Sequence, residues 1–101
     1  MSVTSQVADD KKSATIKLND RFDFSVHSDF RNAYKDVALR DGEYRVDLSA
    51  TDYLDSSALG MLLLLKEHAD AQQSSVRLVG FNDEVKEILN IASFDKLFQM
   101  G

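Results

Sequence analysis

Residues 44–66, YRVDLSATDYLDSSALGMLLLLK, read as a strand, a short acidic loop, two serines and a strongly apolar helix. Tyr44, Val46 and Leu48 alternate with Arg45 and Asp47, the period of two expected of a strand over Tyr44 to Ser49. Ala50 to Asp55, with Thr51, Asp52 and Asp55, reads as a loop. Asp55, Ser56 and Ser57 are all residue types that cap helices, and the helical pattern begins directly after them. The serines therefore stand where a strand hands over to a helix N-terminus. Such a site has free backbone N–H groups and a partial positive charge, and it receives a phosphate well.

The helix is expected from Ser57 to about Gln72, with Ala58, Leu62, Leu65 and Ala69 on its core face. Leu59 and Leu63 widen that face on one side, and Met61 and Leu64 lie on the other, near Ser57 and His68. The apolar arc exceeds one core stripe, so either the helix is nearly surrounded or Met61 and Leu64 form an exposed patch for a partner.

Upstream, Val3 to Val7 and Ala14 to Leu18 read as two strands joined by the polar turn Ala8–Lys12, a hairpin. Asn19 to Ser25 is expected as a loop carrying Arg21, Phe22, Asp23 and Phe24. Val26 to Leu39 reads as an amphipathic helix capped by Ser25 or Ser28. Downstream come a strand over Val76 to Gly80, a short helix over Glu84 to Ile91 capped by Asn82, and a last apolar segment with Phe94, Leu97 and Phe98. The order ββαβαβα implies an α/β fold, a mixed sheet of four to five strands flanked by three to four helices. In open α/β sheets the functional edge is the carboxyl end of the strands, which here carries Asp55 and Ser56.

A chain of 101 residues, 44% hydrophobic and 29% charged, fits one domain over 1–101 with a real core. Its formal charge of −5 argues against direct nucleic-acid binding, which needs clustered cations. There is no cysteine and hence no thiolate chemistry. The N-terminal segment lacks a signal-peptide core, and the longest apolar run, Met61 to Leu65, is too short to insert in a membrane, so a cytoplasmic location is expected. Only four glycines occur, unclustered, so no phosphate loop exists. His27 and His68 read as helix-surface residues, and Asp52 and Asp55 as loop and cap residues. Phe22, Phe24, Phe30 and Tyr34 read as core. Neither a catalytic residue, a metal nor a cofactor is implied. Taken locally, Ser56 and Ser57 read as a helix cap.

Val46 to Gly60, VDLSATDYLDSSALG, resembles the signature of STAS domains, and most of all that of bacterial anti-sigma factor antagonists. That motif is a strand ending Asp-Leu-Ser, an apolar pair, Asp-Ser-Ser or Asp-Ser-Thr, a small residue, Leu and Gly. The likeness continues through Val76 to Met100 and covers Arg21 to Ser25, where family members carry a similar Asp. It departs at Ala58, where glycine is commonest. The resemblance implies a partner-switching regulator and not an enzyme. The unphosphorylated chain would bind an anti-sigma factor, often itself the serine kinase. Phosphorylation of Ser56, with Ser57 the second choice, would release it, and a serine phosphatase would reset it. The expected binding surface is Asp23, Asp52, Asp55, Ser56, Ser57, Met61 and Leu64. The alternative implied by the family is a non-catalytic accessory subunit of a transport or signalling complex, unregulated by phosphorylation.

Overall fold

The computed structural model describes residues 3–101. Its centre is the strand β3, Glu43–Leu54, flanked by β2, Ser13–Phe22, and β4, Ser75–Val79, both parallel to it. The outer strands are β1, Val3–Val7, antiparallel to β2, and the two-residue β5, Gln99–Met100, parallel to β4. Strand order is β1-β2-β3-β4-β5. Three α-helices connect the parallel strands: α1, His27–Tyr34, α2, Ser56–Asp70, and α3, Asp83–Ile91. The expected ββαβαβα order is present, with β5 added at the end.

Sequential order makes every crossover advance in the same direction. Right-handed crossovers then place all three helices on one face of the sheet. Burial follows this: Ala14, Ile16 and Leu18 of β2, Tyr44, Val46 and Leu48 of β3, and Val76 and Leu78 of β4 are buried. Their neighbours Lys17, Arg45 and Ser49 are exposed. The molecule is two layers thick, 19 Å along its shortest axis. On the open face Glu43 takes the Arg45 guanidinium at 2.6 Å and that of Arg77 at 3.2 Å.

The two central strands are longer than their alternation suggests. Asn19–Phe22 and Ala50–Leu54, read as loops, continue β2 and β3. The register moves from Lys17↔Asp47 to Asn19↔Ala50 and then Arg21↔Tyr53, so β3 carries an extra residue at each of two bulges. A bulge resets which side chains face the core, and that hides a strand from a strict period of two. The buried Thr51 hydroxyl donates to the Leu18 carbonyl at 2.8 Å, satisfying an acceptor in this irregular stretch.

Helix α1 is shorter than Val26 to Leu39. A 3-10 turn, Phe24–Val26, precedes it, and neither Ser25 nor Ser28 caps it: Asp23 caps the turn. The connection after α1 is pinned by the end of α2. Gln72 Oε1 accepts from the Leu39 N–H at 2.8 Å and lies 2.6 Å from the Tyr44 hydroxyl, while its amide nitrogen donates to the Val37 carbonyl at 3.3 Å. His68 belongs to this cluster. Its Nε2 lies 2.9 Å from the Val37 carbonyl, and its ring packs against Tyr34 and Tyr44. It is therefore not a helix-surface residue. Phe24 departs the other way: expected in the core, it is 68% exposed and stacks on His27.

Candidate functional site

Parallel strands end at one edge, and each then feeds a helix or turn whose first N–H groups need acceptors. Three side chains meet that need along this edge. Asp23 follows β2, Asp55 follows β3, and Asn82 lies shortly after β4 and caps α3 as expected. Between β4 and Asn82 stands Gly80, at φ +76, a left-handed conformation; a Cβ there would fall 2.9 Å from that of Ser49. Asp55 binds the edge together, since its N–H donates to the Phe22 carbonyl at 3.4 Å.

Asp23 and Asp55 are built alike. Asp55 Oδ1 accepts from the Ala58 N–H at 3.0 Å and from the Ser57 hydroxyl at 2.6 Å. Asp23 Oδ1 accepts from both the backbone N–H and the hydroxyl of Ser25. The Ser57 hydroxyl, with the Ala58 N–H behind it, lowers the Asp55 pKa against desolvation and the charge of Asp23. The Ser25 hydroxyl and N–H lower that of Asp23, with help from Arg21. Both carboxyls are thus charged at neutral pH. Because their pKa values are depressed on folding, the stabilisation is complete above the ordinary carboxylate range and is lost as pH falls through the lowered values. NMR titration of the side-chain carboxyl carbons is expected to show Asp55 ionising below an ordinary aspartate, and Ser57→Ala to move it upward.

The two serines are not equivalent. Asp55 is the cap, so Ser56 is the first helical residue and Ser57 the second. Ser57 is half-buried and its hydroxyl is committed to Asp55. Ser56 is exposed, and among the described residues its hydroxyl has no hydrogen-bond partner.

Below Ser56 the exposed stripe of α2 runs through Gly60, Leu63, Leu64 and Glu67. Leu63 is 39% exposed and Leu64 49%, whereas Met61 is 4% exposed. Met61 is therefore a core residue and cannot present its side chain to a partner; Leu63 takes its place. The angular count explains the exchange. At about 100° per residue, Met61 lies about 70° from the centre of the Ala58–Leu62–Leu65–Ala69 face, and Leu63 and Leu64 each lie about 130° from it. A Cβ on Gly60 would meet nothing within 4 Å. Gly60→Ala is expected to stabilise the fold by about 0.5–1 kcal/mol through helix propensity alone, read as a rise of several degrees in Tm.

Asp52 is exposed on β3, as is Tyr53, whose ring lies 4.7 Å from the Arg21 guanidinium carbon. The structure thus brings Asp23, Asp55, Ser56 and Ser57 to one edge, with Asp52 and Leu64 on the elements that flank it. Phe24, Tyr53 and Leu63 are exposed apolar additions.

The family profile described as Mlab, STAS domain matches residues 5–99. The chain belongs to the STAS domain family. A STAS-domain containing protein of Pseudomonas aeruginosa is 45% identical over all 101 residues, the full length of both chains. Among solved structures, a sulfate transporter family protein of Wolinella succinogenes superposes with a TM-score of 0.76 at 15% identity, over 90% of this chain and 73% of that one. The anti-sigma factor antagonist SpoIIAA, in its unphosphorylated form, superposes with a TM-score of 0.74 at 14% identity, over 98% and 86%. At these identities the structures establish the shared STAS fold. Among the described residues no helix is long and apolar enough to cross a membrane.

Proposed function

We propose that this STAS domain is an anti-sigma factor antagonist that works by partner switching, with Ser56 as its phosphorylation site. The observation that carries the reading is the contrast at the start of α2. Ser56 is exposed and its hydroxyl unengaged, while Ser57 has given its hydroxyl to the cap. A kinase needs a reachable hydroxyl, so the geometry supports Ser56 over Ser57.

In this reading the unphosphorylated edge docks an anti-sigma factor that is itself a serine kinase. Asp23, Asp52 and Asp55 give the edge its negative charge, which a basic partner surface complements. Leu63 and Leu64 supply apolar contact below it. The domain contributes no catalytic group; it is the substrate of phosphoryl transfer. A phosphate on Ser56 adds about −1.5 to −2 charges beside existing carboxylates. It sits at the positive end of the α2 dipole, so the fold accommodates it while the docked surface is pushed off. A serine phosphatase restores the binding form. SpoIIAA, of the same fold, has been solved in both unphosphorylated and phosphorylated forms, which fits a switch that leaves the fold in place.

The alternative is an unregulated accessory subunit, and the match to a sulfate transporter family protein is what favours it. Intact and peptide mass spectrometry of the protein isolated from its own cells separates the two. The switch requires a phosphate that localises to Ser56 and disappears in Ser56→Ala. A chain unmodified under every growth condition would leave the accessory role.

A further inference from the structure

We propose that β1 pairs with β1 of a second copy, joining two five-stranded sheets into one continuous ten-stranded sheet around a two-fold axis. The hydrogen-bond parity of β1 sets the geometry. Its register with β2 pairs Val7 with Ala14, and one step further the Ala8 N–H donates to the Ser13 carbonyl at 2.9 Å. Ala8 therefore points its backbone groups at β2, and so, by alternation, do Gln6 and Thr4. Val3, Ser5 and Val7 point theirs outward, where β1, as the edge of the sheet, has no neighbouring strand among the described residues.

Those three residues fit each other. In an antiparallel pair centred on Ser5, Val3 faces Val7 of the other copy and Ser5 faces Ser5. Every outward N–H and C=O then finds a partner in six backbone hydrogen bonds. Centring the pair on Thr4 or Gln6 leaves part of the strand unmatched. The sequence VTSQV is also nearly the same in both directions: valine meets valine on the helix-side face, and threonine meets glutamine on the open face. Val7 is 41% exposed in the single copy, while Val3 is buried. Pairing sets Val7 beside the apolar residue at the other end of the partner strand.

Sheet edges are normally protected against such pairing by charge, proline, a bulge or brevity. The far edge has that protection, since β5 is two residues long. Strand β1 has none: its five residues are uncharged, contain no proline, and pair with β2 without a register shift. A contact this small implies a weak, concentration-dependent dimer. The two-fold turns the copies in opposite directions, so their Ser56 edges lie at opposite ends of the joined sheet. Both stay open to partners, and the pairing is independent of the switch.

The protein has no cysteine, which makes a cross-linking test clean. In the proposed register the two Ser5 Cα atoms lie about 5.5 Å apart, within disulfide reach. The two Gln6 positions face Thr4 and are too far from one another. Ser5→Cys is expected to oxidise to a covalent dimer at least tenfold faster than Gln6→Cys or a distant exposed control, Asn90→Cys. The unaltered protein is expected to show a doubled mass by sedimentation at high concentration, and Ser5→Pro, which removes an outward N–H that β2 does not use, is expected to abolish it. Unchanged circular dichroism would show that this variant still folds. Equal cross-linking of all three cysteine variants, or a protein that stays monomeric to about millimolar concentration, would overturn the proposal.

Discussion

Ser56→Asp is expected to weaken the proposed complex with an anti-sigma factor by about ten- to a hundredfold, or ~1.4–2.7 kcal/mol, while leaving the fold intact. Ser56 is the first residue of α2 and exposed, so a carboxylate there buries no charge and stands at the favourable end of the helix dipole. Nothing in the free domain resists it. In the proposed complex the same carboxylate would join Asp23 and Asp55, both charged at neutral pH, under a surface that packs on a neutral hydroxyl in the unmodified protein. The penalty thus falls on the complex alone. Ser56→Ala should bind as the unmodified protein does and serve as bait to isolate the partner. Ser56→Asn, of similar shape to aspartate without its charge, should lie close to Ser56→Ala if charge is the cause. Titration calorimetry with the captured partner gives the three affinities. Equal affinity for Ser56→Ala and Ser56→Asp would end the switch mechanism, and a loss shared by Ser56→Asn would assign the effect to bulk.

The start of β3 and the start of α2 were legible because their signals are local, whereas the loop expected between them is strand. Alternation marks Tyr44 to Leu48, and the Asp55–Ser57 cluster marks the start of α2 to within one residue. The assignment of Asp23 to the same edge came from the family pattern, and parallel pairing of Phe22 with Leu54 accounts for it physically. What escaped the sequence depends on other parts of the chain. The bulges that extend β3 are invisible without its partner strand. Met61 was distinguishable from Leu63 by angle, but the width of the covered arc depends on what packs against α2. Phe24 follows the Asp23 cap into solvent, which no aromatic composition rule indicates. His68 reads as surface because it is alone in its helix with no partner at local spacing, and it is covered only because the chain after α1 folds back over it.

That covering segment yields the last expected result: neighbouring glutamines with opposite effects. Gln72→Ala should cost about 1–3 kcal/mol, a drop in Tm of roughly 4–8 °C per kcal/mol. Its side chain takes the Leu39 N–H and the Tyr44 hydroxyl on one atom and serves the Val37 carbonyl with another. Alanine removes all three at a part-buried place, leaving the Leu39 N–H without its acceptor. Gln73 touches none of these groups. It ends α2 in a left-handed conformation at φ 58, with its N–H on the Asp70 carbonyl and the Ser74 N–H on the Ala69 carbonyl. These two bonds form a Schellman termination, in which glycine is the residue free of steric cost. Gln73→Gly should therefore stabilise the protein by about 0.5–1 kcal/mol, after the added freedom of glycine in the unfolded chain is counted. Thermal and urea unfolding of both variants measure the pair. A Gln72→Ala protein as stable as the parent would mean that the connection after α1 does not depend on α2. A destabilised Gln73→Gly protein would show that unfolded-state entropy outweighs relief of the left-handed glutamine.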